Sequence, residues 1–452
     1  MRALLICIFL PVATIAVQAG TQTTSTESAN NGAPTMCDST SIEFYSIRDD
    51  GDEAQESVEQ AEAGNLQMQV KGFLDTYHAV RSEGKADLMS SRTRARGEVK
   101  IEKGAASLFL SLNATHNGVL TERTGVELRE AYLSYQKGNL DLRAGRQIIV
   151  WGVADALRLT DCVSPCDYTE FLAQDYDDIR MPTCALRGRY SAGIFNFEGL
   201  FIPLPDFIVM PTEERNPWAF RPPSGKLPYT MDLLSGRPGK RIKNAEFGGR
   251  ISANLRGADF SLAAFHTWNK MPALRTSLHP DKQSIHISGE YRRTTMLGAD
   301  CSLPVGHFVL RSEVAFFIGE AQGNVLGGEV ARRNTLHALA GVDWYPGSDW
   351  TVSIQYSHQH TYGNLDYLSA YRNAGLATAR LSKDLLRNSL KISSFAYVDV
   401  TNGGIFNRLS AAYSLTDQVE LSTGYDYFHA DKGRFAPYAR NSEVWMKVKY
   451  SF

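Results

Sequence analysis

The chain has no long apolar run beyond its first 20 residues. A membrane-spanning helix needs about 20 consecutive, predominantly apolar residues, and no stretch of even about 18 occurs after Gly20. The sequence therefore excludes a helical membrane protein. It also lacks an excess of one charge, because 47 basic and 49 acidic residues leave a formal net charge of −2. Nucleic acid is therefore not an expected partner.

Cysteine is scarce, and the cysteines do not form a metal-binding pattern. Cys7 lies in the secretory signal described below, which leaves an odd number and at least one unpaired thiol in an oxidising compartment. Cys162 and Cys166 are close enough in sequence to pair with each other, or either with Cys184, and free thiols are the alternative. With no CxxC pair and no nearby histidine, we expect neither a metal site nor a cofactor.

A recognisable catalytic motif is missing as well. Histidines occur on predicted strands, at His266, His337 and His358, but none accompanies a nucleophile motif such as G-x-S-x-G. Serine, histidine and aspartate in a chain of 452 residues are otherwise too common to indicate catalysis. We therefore predict that the protein is not an enzyme.

What the chain does have begins with two N-terminal segments. Residues 1–19 have a basic start at Arg2, an apolar core and the small-residue end Val17-Gln18-Ala19, which predicts a secretory signal peptide. Residues 20–65 are polar and then acidic, with almost no side chains that could form a core. We interpret them as a periplasmic linker, with a plug or recruitment arm as the alternative.

The last twelve residues, 441–452, alternate between apolar and polar side chains. Val444, Met446, Val448, Tyr450 and Phe452 share one face, and charged or polar residues, together with Trp445, share the other. A strand of this kind fits the end of a closed transmembrane β-barrel, in which the last strand pairs with the first and aromatic residues form a girdle. A soluble β-domain is the alternative.

The same alternation recurs from residue 66 to the end. Candidate strands are 66–80, 92–102, 104–116, 127–137, 139–148, 183–192, 193–202, 244–256, 258–268, 284–303, 306–319, 334–346, 349–360, 376–385, 388–400, 403–415, 417–430 and 441–452. Short turns alternate with longer connections such as 149–182 and 203–243, as in outer-membrane barrels. We therefore predict an all-β fold over residues 66–452, an up-and-down antiparallel transmembrane barrel of about eighteen strands, or sixteen.

The polar face of each strand would point into the lumen. Since a basic residue that faces lipid at mid-bilayer costs about 2–4 kcal/mol, the charged positions fix which face points inward. The predicted pore-lining basic residues come from the first eight strands and form one wall: Arg94, Arg96, Arg143, Arg187, Arg189 and Arg250. The alternative is that these charges pair with acids and only stiffen the barrel.

The connection 149–182, called the inward loop below, contains too many apolar residues to be a flexible, unpacked segment. Loops longer than about fifteen residues are usually functional or disordered. We predict that it folds into the lumen and narrows it, with its carboxylates facing the basic wall and ordering water between opposed charges. The acidic residues predicted at this constriction are Asp155, Asp161, Asp175, Asp177 and Asp178.

Several motifs resemble a known family. They are GRQ-x3-WG at 145–152, the acidic loop with Pro165, the hairpin sequence 407–428 and the terminal Ser-Phe. The chain is similar to porin-like outer-membrane β-barrels of Gram-negative bacteria, a largely uncharacterised family classed as a domain of unknown function. The resemblance covers about residues 66–452 and implies an outer-membrane barrel with a transport role and no established substrate.

These observations together predict a channel for small polar or anionic solutes in the Gram-negative outer membrane. The expected partners are membrane lipid and lipopolysaccharide, the barrel assembly machinery, which would recognise Phe452, and the solutes themselves. One alternative is transport of hydrophobic solutes past lumen aromatics such as Phe73, Tyr77 and Phe395. A closed barrel that acts as an adhesin is the other.

Overall fold

A computed structural model describes residues 65–173, 176–221, 228–278, 284–324 and 328–452, without the side chains of residues 176 and 177. The predicted signal peptide and, apart from Asn65, the predicted linker lie outside these residues. Within them, no helix is long and apolar enough to cross a membrane.

Eighteen strands of the described residues form one closed antiparallel barrel. They are β1 (Gln67–Arg81), β2 (Leu88–Lys103), β3 (Ala106–Asn117), β4 (Gly125–Lys137), β5 (Leu140–Gln147), β6 (Thr183–Ala192), β7 (Phe195–Ile202), β9 (Glu246–Leu255), β10 (Ala258–Trp268), β13 (Arg293–Val305), β14 (Phe308–Gln322), β15 (Ala331–Gly347), β16 (Trp350–Thr361), β17 (Asn373–Leu385), β18 (Leu390–Asp399), β19 (Gly404–Ser414), β20 (Val419–His429) and β21 (Glu443–Ser451). Each pairs with its neighbours in chain order, and β21 pairs with β1. The predicted all-β barrel of eighteen strands is confirmed.

The first and last strands close the barrel. Their antiparallel register runs from Phe73 opposite Ser451 to Arg81 opposite Glu443. The backbone N–H and C=O of Phe452 also bond with those of Gly72, at 2.9 Å in each direction. Closure leaves the sheet without a free edge strand, which removes the usual template for unwanted pairing.

Side chains alternate between lipid and lumen as the sequence pattern predicts. On β21, Val444 and Met446 are about half exposed on the outer surface, whereas Glu443 and Trp445 are buried inside. On β1, Leu74 is exposed outside and Asp75 is buried inside. On both strands the charged side is therefore enclosed by the wall, as the cost of exposing charge to lipid requires.

The two ends of the barrel differ in the length of their connections. At one end, called the turn end, hairpins such as β2–β3 and β4–β5 are joined by two residues, with positive-φ glycines at Gly104 and Gly138. At the other, called the loop end, lie the inward loop and the connections from β7 to β9 and from β10 to β13. Glycine is favoured at such turns because it has no Cβ to oppose a positive φ.

A small second sheet was not predicted. The strands β8 (Tyr229–Asp232), β11 (Ala273–Leu278) and β12 (Ile285–Glu290) form it, with β8 and β12 parallel. The predicted single strand 284–303 was therefore wrong, because β12 leaves the barrel and only β13 belongs to the wall. Tyr291 marks the break, where its buried ring packs against Phe207 and its hydroxyl donates to the carbonyl of Leu233. The long connection 203–243 contains β8.

Candidate functional site

The inward loop lies inside the barrel and is largely buried. Ile149, Trp151 and Val163 are at most 1% exposed. The loop includes one short helix, α1 (Tyr176–Ile179). Gly152 makes its first bend with φ at +89°, and a Cβ there would lie 2.7 Å from both Thr160 Oγ1 and Glu313 Oε1. Only glycine fits this close approach of the loop to the wall.

One attachment of the loop is Glu313, on the lumen face of β14. Its carboxylate, 1% exposed, accepts hydrogen bonds from the backbone N–H of Val153, Ala154 and Thr160 at 3.3, 3.1 and 2.5 Å. It also accepts from the Thr160 hydroxyl at 2.6 Å, and nearby Arg311 Nη1 donates to the Val153 carbonyl at 2.9 Å. A single carboxylate thus satisfies four buried donors of the loop.

A second attachment is Asp178, at the other end of the loop. Its carboxylate forms ion pairs with Arg94 Nη1 at 2.8 Å and Arg96 Nη2 at 3.1 Å, and both arginines belong to β2. Burial by itself would raise the pKa of the Asp178 carboxyl, but Arg94, Arg96 and Arg92 outweigh it and hold this pKa well below its usual range. The ion pairs therefore persist in acid well below the pH at which a free aspartate protonates.

These two attachments lie on opposite walls. Counted around the barrel, β2 is the second strand and β14 the eleventh, so nine of the eighteen strands separate them in either direction (11 − 2 = 9; 18 − 9 = 9). The loop therefore crosses the lumen. No other placement would bring one loop within hydrogen-bond distance of both strands.

Further contacts fix the middle of the loop to a third part of the wall. Asp155 pairs with Arg380 of β17 at 3.3 Å, and the Tyr397 hydroxyl of β18 donates to the carbonyl of Ala156 at 2.6 Å. Arg408 of β19 donates to the carbonyl of Leu172 at 3.1 Å. The loop is thus held from three directions.

An aromatic cluster secures the loop toward the loop end. Phe171 stacks on Tyr438, with ring centroids 4.0 Å apart, and also contacts Trp218 and Phe428. Tyr438 belongs to the β20–β21 connection and Trp218 to the β7–β9 connection, so three connections meet there. Such rings bury large apolar areas and stabilise the packed arrangement.

The six predicted pore-lining basic residues all lie on the lumen side of β2, β5, β6 and β9, and each has an acidic partner. The ion pairs are Arg94 with Asp75 and Asp178, Arg96 with Asp178, Arg143 with Asp141, Arg187 and Arg189 with Glu198, and Arg250 with Asp300. Arg189 and Arg143 are the most accessible, with 36% and 28% of their side chains exposed. The basic wall is therefore largely neutralised by its own neighbours.

The predicted acidic set of the loop does not face the basic wall as a group. Asp178 does, but Asp155 reaches Arg380 on a different part of the barrel. Asp161 pairs with Arg158 and Arg180, both within the loop, at 3.0 Å. The expectation that these carboxylates oppose the arginines was wrong for Asp155 and Asp161, because closer cations compete for them. Asp175 and the side chain of Asp177 lie outside the described residues.

No disulfide is formed among the cysteines of the described residues. Cys162, Cys166, Cys184 and Cys301 are all free thiols, so the pairing considered among the first three is not present. Burial raises the pKa of the Cys162 thiol to about 12, with Asp161 adding to the effect. This thiol therefore stays protonated and unreactive near neutral pH. Within the same residues, no group of three or more His, Cys, Asp or Glu is placed to hold a metal ion.

The lumen aromatics considered for hydrophobic solutes are engaged with polar groups. Arg94, Arg96 and Lys449 each lie 5.0 Å from the ring centroid of Phe73. Tyr77 is buried and donates to Glu443, and Phe395 lies under Arg380. Cations over aromatic faces are attracted by the ring quadrupole, so these rings do not form an open apolar track.

Several attachment residues were not singled out from the sequence as a site. Glu313, Arg380 and Tyr397 occupy ordinary lumen-facing positions, with no local motif around them. The alternation of apolar and polar residues along their strands predicts that these side chains face the lumen. Their partners on the inward loop could not be predicted, because the contacts join residues about 160 to 240 positions apart.

The closed barrel and the loop across its lumen define the class of the protein as a porin-type β-barrel. Residues 1–198 match a family described as "Protein of unknown function (DUF1302)". The match confirms the resemblance to a porin-like family of unknown function, and it extends from the N-terminus into β7. No curated protein matches the sequence.

Solved structures support the same fold. OccK8 (OprE) of Pseudomonas aeruginosa has a TM-score of 0.52 and 8% identity, covering 85% of this chain and 98% of that chain. OccK10 (OpdN) of the same organism has a TM-score of 0.51 and 10% identity, covering 85% and 99%. OccK5 (OpdH) has a TM-score of 0.50 and 9% identity, covering 86% and 98%. At these identities the similarity is one of fold, that of outer-membrane porins.

Proposed function

We propose that this protein is a channel of the Gram-negative outer membrane for small polar or anionic solutes, with passage restricted by the inward loop. The observation that carries the proposal is the attachment of this loop to β2 and β14, on opposite sides of a closed barrel. A loop held in this way reduces the free cross-section of the lumen and places charged side chains beside any solute. Narrow, charged lumens select solutes by size and electrostatics.

The remaining parts of the chain have roles in the same proposal. Residues 1–19 direct export through the inner membrane, and residues 20–65 form a periplasmic linker. Phe452 presents the end of the last strand to the assembly machinery, and the outer surface contacts lipid and lipopolysaccharide. The solute enters at the loop end and leaves at the turn end.

The charges that a passing ion meets are the accessible ones. Arg143 and Arg189 are the most exposed of the six basic residues and lie toward the turn end, whereas Arg94 and Arg187 are below 10% side-chain exposure. A buried, paired arginine contributes little field to the lumen because its partner cancels it. We therefore attribute anion preference to Arg143 and Arg189.

Replacing Arg143 and Arg189 together by glutamine is expected to lower the anion-to-cation permeability ratio. Removing two accessible positive charges leaves Asp141 and Glu198 less compensated, which favours cations. The measurement is the reversal potential of the refolded protein in a planar bilayer under a KCl gradient, with conductance recorded in parallel.

The matched control is the double variant Arg256→Gln with Arg387→Gln. It removes the same charge from the β9–β10 and β17–β18 turns, at the turn end. It is expected to shift the reversal potential much less than the lumen pair does. A lumen variant that conducts with an unchanged reversal potential contradicts the assignment of selectivity. Absence of conductance from a folded wild-type barrel contradicts the channel itself.

A further inference from the structure

A cavity of about 720 Å³ lies in the lumen on the loop-end side of the inward loop. Its floor includes Arg158 and Tyr168 of that loop, its wall comes from the lumen faces of β10 and β13 to β16, and β11 and β12 contribute to its cover. The volume falls within the range of about 300–1,000 Å³ found for small-molecule sites. A solute that enters from the loop end meets this cavity before it reaches the narrowest part.

One side of the cavity is apolar. Phe317 of β14, Leu274 of β11 and Ile287 of β12 line it together with Met271 and Phe220. Apolar lining predominates over polar lining, as in most sites for organic ligands. This side suits the hydrocarbon body or ring face of a solute.

The wall beside Phe317 is uncharged and polar. His337 of β15 contacts the Phe317 ring, with ring centroids 5.3 Å apart, and the next strand, β16, has a hydrogen-bonding track. Every second residue of that strand faces the lumen, and these residues are Thr351, Ser353, Gln355, Ser357, Gln359 and Thr361. Gln359 lines the cavity, and His337 of β15 is its direct cross-strand neighbour there. Hydroxyl and amide groups both donate and accept hydrogen bonds, so the track suits neutral polar groups.

His337 Nε2, which lines the cavity, is buried and, within the described residues, has no hydrogen-bond partner. Among the described residues, the hydroxyl of Thr361 and both polar atoms of the Gln355 amide also have no partner, at lumen-facing positions of β16 outside the cavity lining. Gln355 and Thr361 are at most 1% exposed. Buried polar atoms are nearly always hydrogen-bonded to protein, water or a ligand. Unsatisfied ones therefore indicate positions at which a bound ligand or water would form hydrogen bonds.

The charges around the cavity disfavour an anion. Glu320 lines it, with Oε2 at 4.0 Å from His337 Nε2. The two cations of the lining already have acidic partners, since Arg158 pairs with Asp161 at 3.0 Å and Lys270 pairs with Glu246 at 2.6 Å. A carboxylate or phosphate placed here would meet Glu320 without a free cation to balance it.

We propose that this cavity binds a neutral amphipathic solute, one with an apolar ring or chain on one side and several hydroxyl groups on the other. The apolar body packs against Phe317 and Leu274, and the hydroxyls bond with His337 and Gln359. This inference rests on the proposed function, since it names a class of solute that the channel takes up, and the binding test below does not depend on conduction.

The test compares two ligands that differ in one group. Phenyl β-D-glucoside is neutral, whereas phenyl β-D-glucuronide has a carboxylate in place of the hydroxymethyl group. Binding to the refolded, detergent-solubilised full chain is followed by ligand-observed NMR titration. We expect the glucoside to bind, with the glucuronide weaker by about tenfold. Equal dissociation constants for the two ligands, or no saturable binding of the glucoside, would overturn the proposal.

Variants locate the site. His337→Leu and Gln359→Leu are each expected to weaken glucoside binding by about tenfold, because they remove hydrogen-bonding groups at a desolvated surface. Glu320→Gln is expected to bring the two dissociation constants closer together. His360→Leu is the control, since His360 is the next residue on β16 and points to the outer surface, where it bonds Asn373.

The outcomes separate the two proposals. A folded His337→Leu or Gln359→Leu barrel that binds the glucoside as tightly as the wild type does would overturn the site, whatever the conductance. Conductance without saturable glucoside binding also overturns the site and leaves the channel supported. Specific binding without conductance supports the site and contradicts the proposed function.

Discussion

Replacing Glu313 by leucine is expected to release the inward loop from β14. The substitution leaves the N–H groups of Val153, Ala154 and Thr160 and the Thr160 hydroxyl without their acceptor in a dry part of the lumen. Each unsatisfied buried donor costs about 1–3 kcal/mol, so the attached state loses several kcal/mol. The segment from Val153 to Thr160 then loosens from β14, while the attachment of Asp178 to β2 and the barrel wall remain formed.

Trypsin provides the measurement for this variant. Arg158 is mostly buried in the wild-type loop, at 15% side-chain exposure, and lies two residues before Thr160, so it becomes more accessible when this segment loosens from β14. We expect fast cleavage after Arg158 in Glu313→Leu and slow cleavage in the wild type. Glu420→Leu is the control, because Glu420 is a lumen-facing glutamate on β20 that bonds Ser422. Equal cleavage rates in Glu313→Leu and wild type would contradict the role of Glu313.

Replacing Arg94 by leucine is expected to destabilise the protein by about 3–5 kcal/mol, the usual cost of removing one partner from a buried ion pair. Arg94 holds Asp75 through two hydrogen bonds, at 3.2 and 2.6 Å, and Asp178 at 2.8 Å. Asp75 is 1% exposed. Its carboxylate would be left buried without the guanidinium. The measurement is the free energy of unfolding in urea, in a refolding lipid or detergent.

Two further variants separate charge from volume. Arg94→Leu with Asp75→Asn is expected to recover part of the loss, because the uncompensated carboxylate is then gone. Arg94→Lys is expected to recover little, since a lysine cannot bond both aspartates with a planar fork. A loss in Arg94→Leu that Asp75→Asn does not reduce would contradict the ion-pair explanation.

The stability that Asp178 contributes to the attached loop decreases toward low pH. The pKa of Asp178 is lowered in the folded protein, so the stability that its ionised form contributes is present above the ordinary carboxyl pKa. That contribution is lost only as the pH falls through the lowered value. The wild-type loop should therefore remain attached at about pH 4, near the ordinary aspartate pKa.

The barrel could be predicted from the sequence because apolar and polar residues alternate along each strand, and this alternation identifies the lipid-facing and lumen-facing sides. The alternation in 441–452 reappears as exposed Val444 and Met446 outside and buried Glu443 inside. Lipid on one side and a polar lumen on the other make this pattern unambiguous. The break between β12 and β13 was missed because residues 284–303 are equally suited to a strand in either sheet, and Tyr291 gives no turn signal.

The inward loop was predictable as a packed segment but not in its contacts. Its buried apolar residues indicated packing, whereas the partner of each carboxylate depends on distances that the sequence does not contain. Asp155 and Asp178 are similar in sequence context, yet they reach Arg380 and Arg94, on different parts of the wall. Neutralisation of Arg94 by Asp75 and of Arg187 and Arg189 by Glu198 arises from the register of neighbouring strands. Asp141 and Arg143, by contrast, lie two residues apart on β5.

Single-channel conductance with and without the inward loop tests whether this loop narrows the channel. The wild-type barrel and a variant in which residues 154–178 are replaced by a short Gly-Ser linker are compared in the same planar bilayers, after heat-modifiability confirms that both are folded. We expect small, stable, ohmic steps for the wild type and steps several-fold larger for the variant. Equal conductance of the two folded barrels would contradict the claim that the inward loop sets the width of the channel.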